Sequence, residues 1–383
     1  MSTPLPAQPA ANASPIVKSM RERCVPSWIM IFGFLTIVSI GHIPLVLLIS
    51  ALQAAMFREI VSLGTTASRE RKMKGYFTYL QWYWFLISMF FSYGSLLKSM
   101  FGIGIPRHSF ISFSLYAAGL VGFVLLLKKD QYKYQFQMFA WCHLALLLVV
   151  VQSSFLVANV FQGLIWAILP AMLIVCNDMC AYQVGIFGRR KLIELSPKKT
   201  WEGFIGGAVC TIIFAWLVAG YMAAVPMLIC PQPDISFDRP TCEPSSAFQL
   251  QSFAVSENLG AIGLACKYIP RRLLGIETIS YFPIQCHALV LSLFASLVAP
   301  FGGFFASGFK RAFKIKDFGS SIPGHGGVTD RMDCQLLMGL FAYVYYWNFV
   351  HVPVTTAADV YRLYLTLSPT AQVDLLQMIK LTV

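Results

Sequence analysis

Charge is scarce in this chain. Only 12% of its 383 residues are Asp, Glu, Lys or Arg, where about 25% is usual for a soluble domain. Hydrophobic residues make up 57% and the mean hydropathy is +0.65. So few charges cannot cover a globule of this size, which excludes an ordinary soluble fold. Disorder is excluded too, because it needs low hydrophobicity. The ten cysteines include no Cys-x-x-Cys pair, and no zinc-type Cys/His spacing, His-Glu-x-x-His, Gly-x-Ser-x-Gly or Walker phosphate loop occurs. There is no repeat of fixed period, and low complexity is confined to a Pro-, Ala- and Ser-rich stretch over residues 1–16.

Apolar runs fill the rest. With about 20 residues needed per spanning helix, runs at 26–40, 43–60, 77–97, 109–127, 136–152, 157–176, 204–225, 283–305 and 334–352 predict about nine spans. The first two are short and parted only by Gly41-His42, so a tight hairpin and a re-entrant unit are both open. Residues 258–282 are mixed and suit the membrane interface. The 31 Phe and 8 Trp fit a bundle with interfacial aromatic belts. Lys18, Arg21 and Arg23 before the first run resemble a signal peptide's basic region, but no small-residue cleavage site follows, so a retained anchor is expected.

The net charge of +12 is explained by positive-inside loops rather than by nucleic acid. With the N-terminus cytosolic and all nine runs crossing, segments 1–25, 58–76, 128–135, 177–203 and 306–333 share the cytosolic side and hold 21 of the 29 Lys and Arg. Loop 228–257 on the other side carries Asp234, Asp238, Glu243 and Glu257 against Arg239 alone. Cys230 and Cys242 flank that polar loop, so they are the cysteines that suggest a disulfide, and a lumenal position permits one. The others lie mostly in apolar runs, where a thiol behaves as a small hydrophobe.

Two polar islands fall on the cytosolic side. Residues 177–203 contain Asp178, Lys198, Lys199, Thr200 and Glu202. Residues 307–333 hold five basic and three acidic residues in 27 positions. Asp330 and Asp333, three apart, share a helix face. They read either as solvated acids at a helix start or as oxygen ligands for Mg²⁺, which usually takes one or two carboxylates plus phosphates and water. Asp178 and Asp317 are further candidates. Mixed Asp and Lys/Arg clusters suit a metal-bound polyphosphate, while a basic belt on anionic lipid explains some of the lysines. Gly324, Gly326 and Gly327 around His325 are either a turn after Pro323 or a loop whose amides approach phosphate. Ser196-Pro197-Lys198-Lys199-Thr200 is a turn before a helix that Thr200 caps and Glu202 favours. Its two lysines also make an anion site.

The stretch from Ser307 to Asp333 resembles the signature of the CDP-diacylglycerol synthases, or phosphatidate cytidylyltransferases, in the eukaryotic form. It matches at Ser307, Phe309, Lys310, Arg311, Lys316, Asp317, Gly319, Ile322, Pro323, His325, Gly326, Gly327, Val328, Asp330, Arg331, Met332 and Asp333. The upstream NDMCAY and LSPKKTWEGFIGG segments are similar to that family's cytosolic motifs.

The resemblance implies an all-α polytopic integral membrane enzyme with cytosolic catalytic loops. By composition and apolar pattern, residues 1–25 would be a disordered tail, 26–176 the N-terminal membrane helices, 177–352 the catalytic membrane domain, and 353–383 a C-terminal tail with an amphipathic stripe, the two tails carrying none of the resemblance. The implied reaction joins CTP and phosphatidic acid into CDP-diacylglycerol and pyrophosphate with Mg²⁺. Asp330, Asp333, Lys316, Arg331 and His325 would be catalytic, with Asp178, Asp317, Asp330 and Asp333 on the metal. Lys198, Lys199, Lys310, Arg311, Ser307, Gly326, Gly327 and Glu202 would bind substrate. A homodimer in the endoplasmic reticulum membrane, its site facing the cytosol, completes the expectation. A CTP-dependent polyprenol or lipid kinase would use the same groups, and a transporter would need charges deep within spans.

Overall fold

The computed structural model describes residues 15–66, 74–197, 199–254, 278–322, 326–351, 364–365 and 367–382. It is an all-α polytopic fold with a single two-stranded ribbon among the described residues. Helix α1 (Pro15–Ile40) starts within the segment expected to be a tail, so residues 15–25 have a helical backbone. Gly41, at a φ of +133° that disfavours any side chain, separates α1 from α2 (His42–Thr66). α3 (Lys74–Phe101) and α4 (His108–Leu125) follow.

The next two runs are divided differently from the expectation. α5 (Tyr132–Leu146), a π-helical turn (Leu147–Val151) and α6 (Gln152–Phe161) form one continuous rod. The chain reverses at Gly163 (φ +124°), not at 153–156. A Cβ there would stand 3.1 Å from Ile229 O, so the turn needs glycine twice over. α7 then runs Ile165–Gly185, nine residues beyond the expected end, and Asp178 is helical rather than in a loop.

α8 (Trp201–Ala223) packs along α7 through small residues. A Cβ on Gly203 would lie 2.6 Å from Ala181 O, and one on Gly207 would lie 2.9 Å from Ala181 Cβ. This is close backbone approach of the kind small-x-x-x-small spacing allows in membranes. After one-turn α9 (Pro226–Ile229), Cys230 and Cys242 form the disulfide. Strands β1 (Gln251–Ala254) and β2 (Thr278–Tyr281) pair antiparallel, Gln251 opposite Tyr281. β2 thus occupies part of the stretch expected at the interface, and 255–277 lies outside the described residues.

The run expected as 283–305 is two helices, α10 (Pro283–Leu297) and α11 (Pro300–Ala312). α11 continues to Ala312, so Ser307, Lys310 and Arg311 sit on a helix rather than in a loop. α12 (Thr329–Tyr345) is held by α6 and α7: Asn159 Nδ2 donates to Gly339 O at 2.8 Å and Gln335 Nε2 to Ala171 O at 3.3 Å. The core gathers Trp166, Leu169 and Leu173 of α7, Ala215 and Ala219 of α8, Ile284 and Leu291 of α10, and Met338 of α12.

Six described helical segments are long and apolar enough to cross a membrane: His42–Gly64, His108–Leu125, Tyr132–Phe161, Ile165–Gly185, Trp201–Ala223 and Pro283–Ala312. α1, α3 and α12 are not among them, so the count of nine does not carry over. Trp28, Phe32 and Leu35 on α1 and Phe110, Phe113 and Val121 on α4 are exposed, as a lipid-facing surface requires. Residues from Tyr345 onward form a second compact unit. It contains a π-helical turn (Tyr346–Val350) and α13 (Pro369–Thr382), which exposes Val373, Leu376 and Ile379.

Candidate active site

The signature segment is built as helix end, loop and helix start. Lys310 lies in the last turn of α11 and Asp330 in the first turn of α12. Their side chains meet, Lys310 Nζ to Asp330 Oδ1, at 2.6 Å, with 15% and 7% of each side chain exposed. The other Asp330 oxygen accepts the Phe318 amide at 2.9 Å and the Gly327 amide at 3.1 Å. Asp330 therefore ties both ends of the loop to α11. Lys310 also stands over the Phe318 ring, 5.5 Å from its centroid. Phe309 stacks between Phe318 and Trp141, and Trp141 Nε1 donates to Ile60 O on α2 at 3.0 Å. Within the loop, Ile322 N donates to Gly326 O at 2.9 Å, and Gly326 has φ +84°. Asp317 lies against Gly326: a Cβ there would be 3.2 Å from Asp317 Cγ. Pro323, Gly324 and His325 lie outside the described residues.

A residue that the sequence reading passed over anchors this loop from below. Glu59, on α2, is 5% exposed. It accepts hydrogen bonds from Ser321 Oγ (2.6 Å), the Val328 amide (2.9 Å), and the Thr329 amide and hydroxyl (both 2.8 Å). The available signal was a lone acid beside Arg58 at the end of an apolar run, which looks like an ordinary membrane-edge charge.

The upstream island folds as a tight turn. Leu192 N donates to Lys199 O at 2.9 Å and Trp201 N to Arg190 O at 2.9 Å. Thr200 caps α8, accepting the Gly203 amide at 3.2 Å, as expected. Glu202 accepts the Arg190 amide at 3.3–3.4 Å through both oxygens, which braces the turn. Leu195 reaches α11, where a Cβ on Gly308 would lie 3.2 Å from its Cδ2. The two islands, over a hundred residues apart in the chain, are thus in contact. Lys198 lies outside the described residues.

This packing brings the scattered charges into one neighbourhood. Asp178 of α7 is within electrostatic range of Lys199 and of Arg331 on α12. Asp333 of α12 is within range of Asp178 and Lys310, and its Oδ1 accepts the Cys334 amide at 2.7 Å. α11 comes close enough to α12 that a Cβ on Gly302 would stand 2.8 Å from Asp333 O. Arg311 at the end of α11 and Lys316 and Asp317 in the loop are exposed, and Ser307 is half-buried on α11. No group of three or more His, Cys, Asp or Glu side chains converges as a metal cage among the described residues.

An apolar cavity of about 320 Å³ opens beside these charges. Met56 and Ile60 of α2, Leu148 of the π-helical turn, Phe305 and Ala306 of α11 and Leu336 of α12 are among its walls, and Gln152, Thr329 and Asp333 supply its polar lining. An apolar chamber with a few convergent polar groups is the usual form of a small-molecule site.

The sequence profile of the cytidylyltransferase family matches residues 21–349. The chain is 44% identical over 362 residues to phosphatidate cytidylyltransferase 1 of Arabidopsis thaliana, covering 88% of this chain and 83% of that one. It is 42% identical over 366 residues to phosphatidate cytidylyltransferase 1 of Rattus norvegicus, covering 92% and 76%. With phosphatidate cytidylyltransferase of Caenorhabditis elegans it shares 42% over 384 residues, covering 94% and 80%. A profile match across the whole helical core, coinciding with a charge cluster assembled from both islands, means that the chain belongs to the cytidylyltransferase family.

Proposed function

We propose that the protein transfers the cytidylyl group of CTP to phosphatidic acid, giving CDP-diacylglycerol and pyrophosphate. One observation carries this reading. Asp178 and Asp333, from helices distant in sequence, share a neighbourhood with Lys199, Lys310 and Arg331, and Asp333 also lines an apolar cavity. Such a site suits a polyphosphate on its charged side and an acyl chain on its apolar side.

In the reaction an oxygen of the lipid phosphate bonds to the α-phosphorus of CTP. The bond from that phosphorus to the bridging α–β oxygen breaks, and pyrophosphate leaves. No general base is needed, because the lipid phosphate is already ionised near neutral pH. Two anions must meet, so charge neutralisation is the main demand on the protein. Lys199 and Arg331, with Lys198 and Lys316, would hold the CTP phosphates. Exposed Arg311 would meet the lipid phosphate, and Ser307, His325, Gly326 and Gly327 would shape the loop around the nucleotide. Lys310 acts through Asp330.

The donor set fits Mg²⁺. Asp178 and Asp333 are a like-charged pair, and Mg²⁺ commonly takes one or two carboxylates and completes its shell with phosphates and water. When bound, it would neutralise phosphate charge. Asp330 already accepts three donors and would join only by yielding Lys310, and Asp317 stands toward the exposed side. The disulfide Cys230–Cys242 and the basic cytosolic segments support a site facing the cytosol from the endoplasmic reticulum membrane. A homodimer is part of the proposal. Product analysis tests the reaction: released pyrophosphate is expected, whereas released CDP with a phosphorylated lipid acceptor would make the protein a kinase.

A further inference from the structure

We infer that Glu59, on a helix that carries none of the signature, is the positioning residue that sets the signature loop and, through it, the carboxylates of α12. The inference deepens the proposed reaction and rests on it for its kinetic readout.

The first amides of a helix have no partner within it, and at the start of α12 the amides of Val328 and Thr329 point to Glu59, at 2.9 and 2.8 Å. A negative charge at that end is also favoured by the helix dipole. The cap is supplied from α2, some 270 residues away in the chain. Glu59 also takes the hydroxyl of Thr329 at 2.8 Å and, from the far side of the loop, that of Ser321 at 2.6 Å. Both oxygens are thus engaged, each by two donors, and the side chain is buried. It cannot touch substrate without losing the loop. What it fixes is the backbone at 328–329, immediately before Asp330 and one helical turn before Asp333.

The glycines of the loop fit the same account. A Cβ on Gly319 would meet three Glu59 atoms and nothing nearer: Oε1 at 2.8 Å, Cδ at 3.0 Å and Cγ at 3.1 Å. A Cβ on Gly327 would stand 2.7 Å from Glu59 Oε2. Two glycines of the signature therefore make room for a carboxylate that the signature does not contain.

The test uses the full chain in phosphatidate-containing micelles with Glu59→Gln, Glu59→Asp, Gly319→Ala and the Gly319→Ala/Glu59→Asp pair. Glu59→Gln turns an NH₂ toward at least one donor. Its kcat should fall about 100-fold, the order expected when a reacting group is misplaced by about an ångström, with a smaller change in KM for CTP. In the intact protein, the Val328 and Thr329 amides should exchange hydrogen about tenfold faster or more, as loss of a charge-assisted bond implies. Shortening Glu59 clears the methyl of Gly319→Ala, so the pair should be no less active than Gly319→Ala alone.

Wild-type kcat and unchanged exchange in Glu59→Gln would overturn the inference. So would a loss of activity that only tracks loss of folded protein, or losses that multiply in the pair. Hydrogen exchange needs no turnover. A wild-type protein that transfers no cytidylyl group would sink the proposed reaction and leave Glu59 to be judged by exchange at 328–329.

Discussion

Lys310 Nζ lies 2.6 Å from Asp330 Oδ1, and this contact joins the end of α11 to the start of α12 across the loop that bears most of the signature. Both side chains are largely buried, so the pair escapes the screening that makes surface bridges nearly worthless. Lys310→Met should destabilise the protein by about 3 kcal/mol, the low end for removing one partner of a buried pair, because two backbone amides still serve Asp330. Thermal unfolding in detergent measures it. Lys310→Arg should lose much less, and an unchanged midpoint for Lys310→Met would mean that the pair does not hold the loop.

Asp330→Asn should abolish turnover while the protein still inserts. The amide keeps one acceptor and sets its NH₂ against either Lys310 or the Phe318 and Gly327 amides. Initial rates on reconstituted, correctly inserted protein check this, and near-normal rates would remove Asp330 from the machinery.

Asp178→Asn and Asp333→Asn should each raise the Mg²⁺ concentration needed for half-maximal activity by about tenfold or more, on the order of losing one ligand-related interaction. A Mg²⁺ titration of rate at saturating CTP reads it directly. If neither variant shifts the titration, the metal is held elsewhere.

Ala306→Trp should narrow the apolar cavity beside Asp333. The KM for phosphatidic acid should rise several-fold and that for CTP should stay the same, because only the lipid carries a chain to be excluded. Equal effects on both substrates would separate the cavity from lipid binding.

Gly207→Val should cost about 1–3 kcal/mol, the usual cost of overpacking. Its Cβ would already meet Ala181 Cβ at 2.9 Å and Asn177 Oδ1 at 3.1 Å, which would part α8 from the helix bearing Asp178. Unfolding midpoints and activity should fall together.

Much of this was legible from residue order. The apolar runs located most of the helices, and the mix of acids and bases over 307–333, with Asp330 and Asp333 three apart, pointed to a charge cluster. Thr200 reads as a cap and is one. The misreadings have physical causes. The apolar composition of 136–176 is continuous, so nothing marked the break until Gly163 met the Ile229 carbonyl. The polar look of 177–185 and 306–312 hid the fact that α7 and α11 continue into these islands. Asp178 and Lys310 there join the charge cluster, so composition ceases to mark the helix end. Glu59 was invisible for a different reason: its partners, Ser321, Val328 and Thr329, come to it only through the tertiary fold.

The most direct test of the account supplies the protein, in phosphatidate-containing micelles with Mg²⁺, with CTP labelled at the α-phosphate in one sample and at the γ-phosphate in another. Cytidylyl transfer predicts that the α-label enters the lipid and the γ-label leaves as pyrophosphate. A γ-label in the lipid with the α-label in free CDP would contradict it.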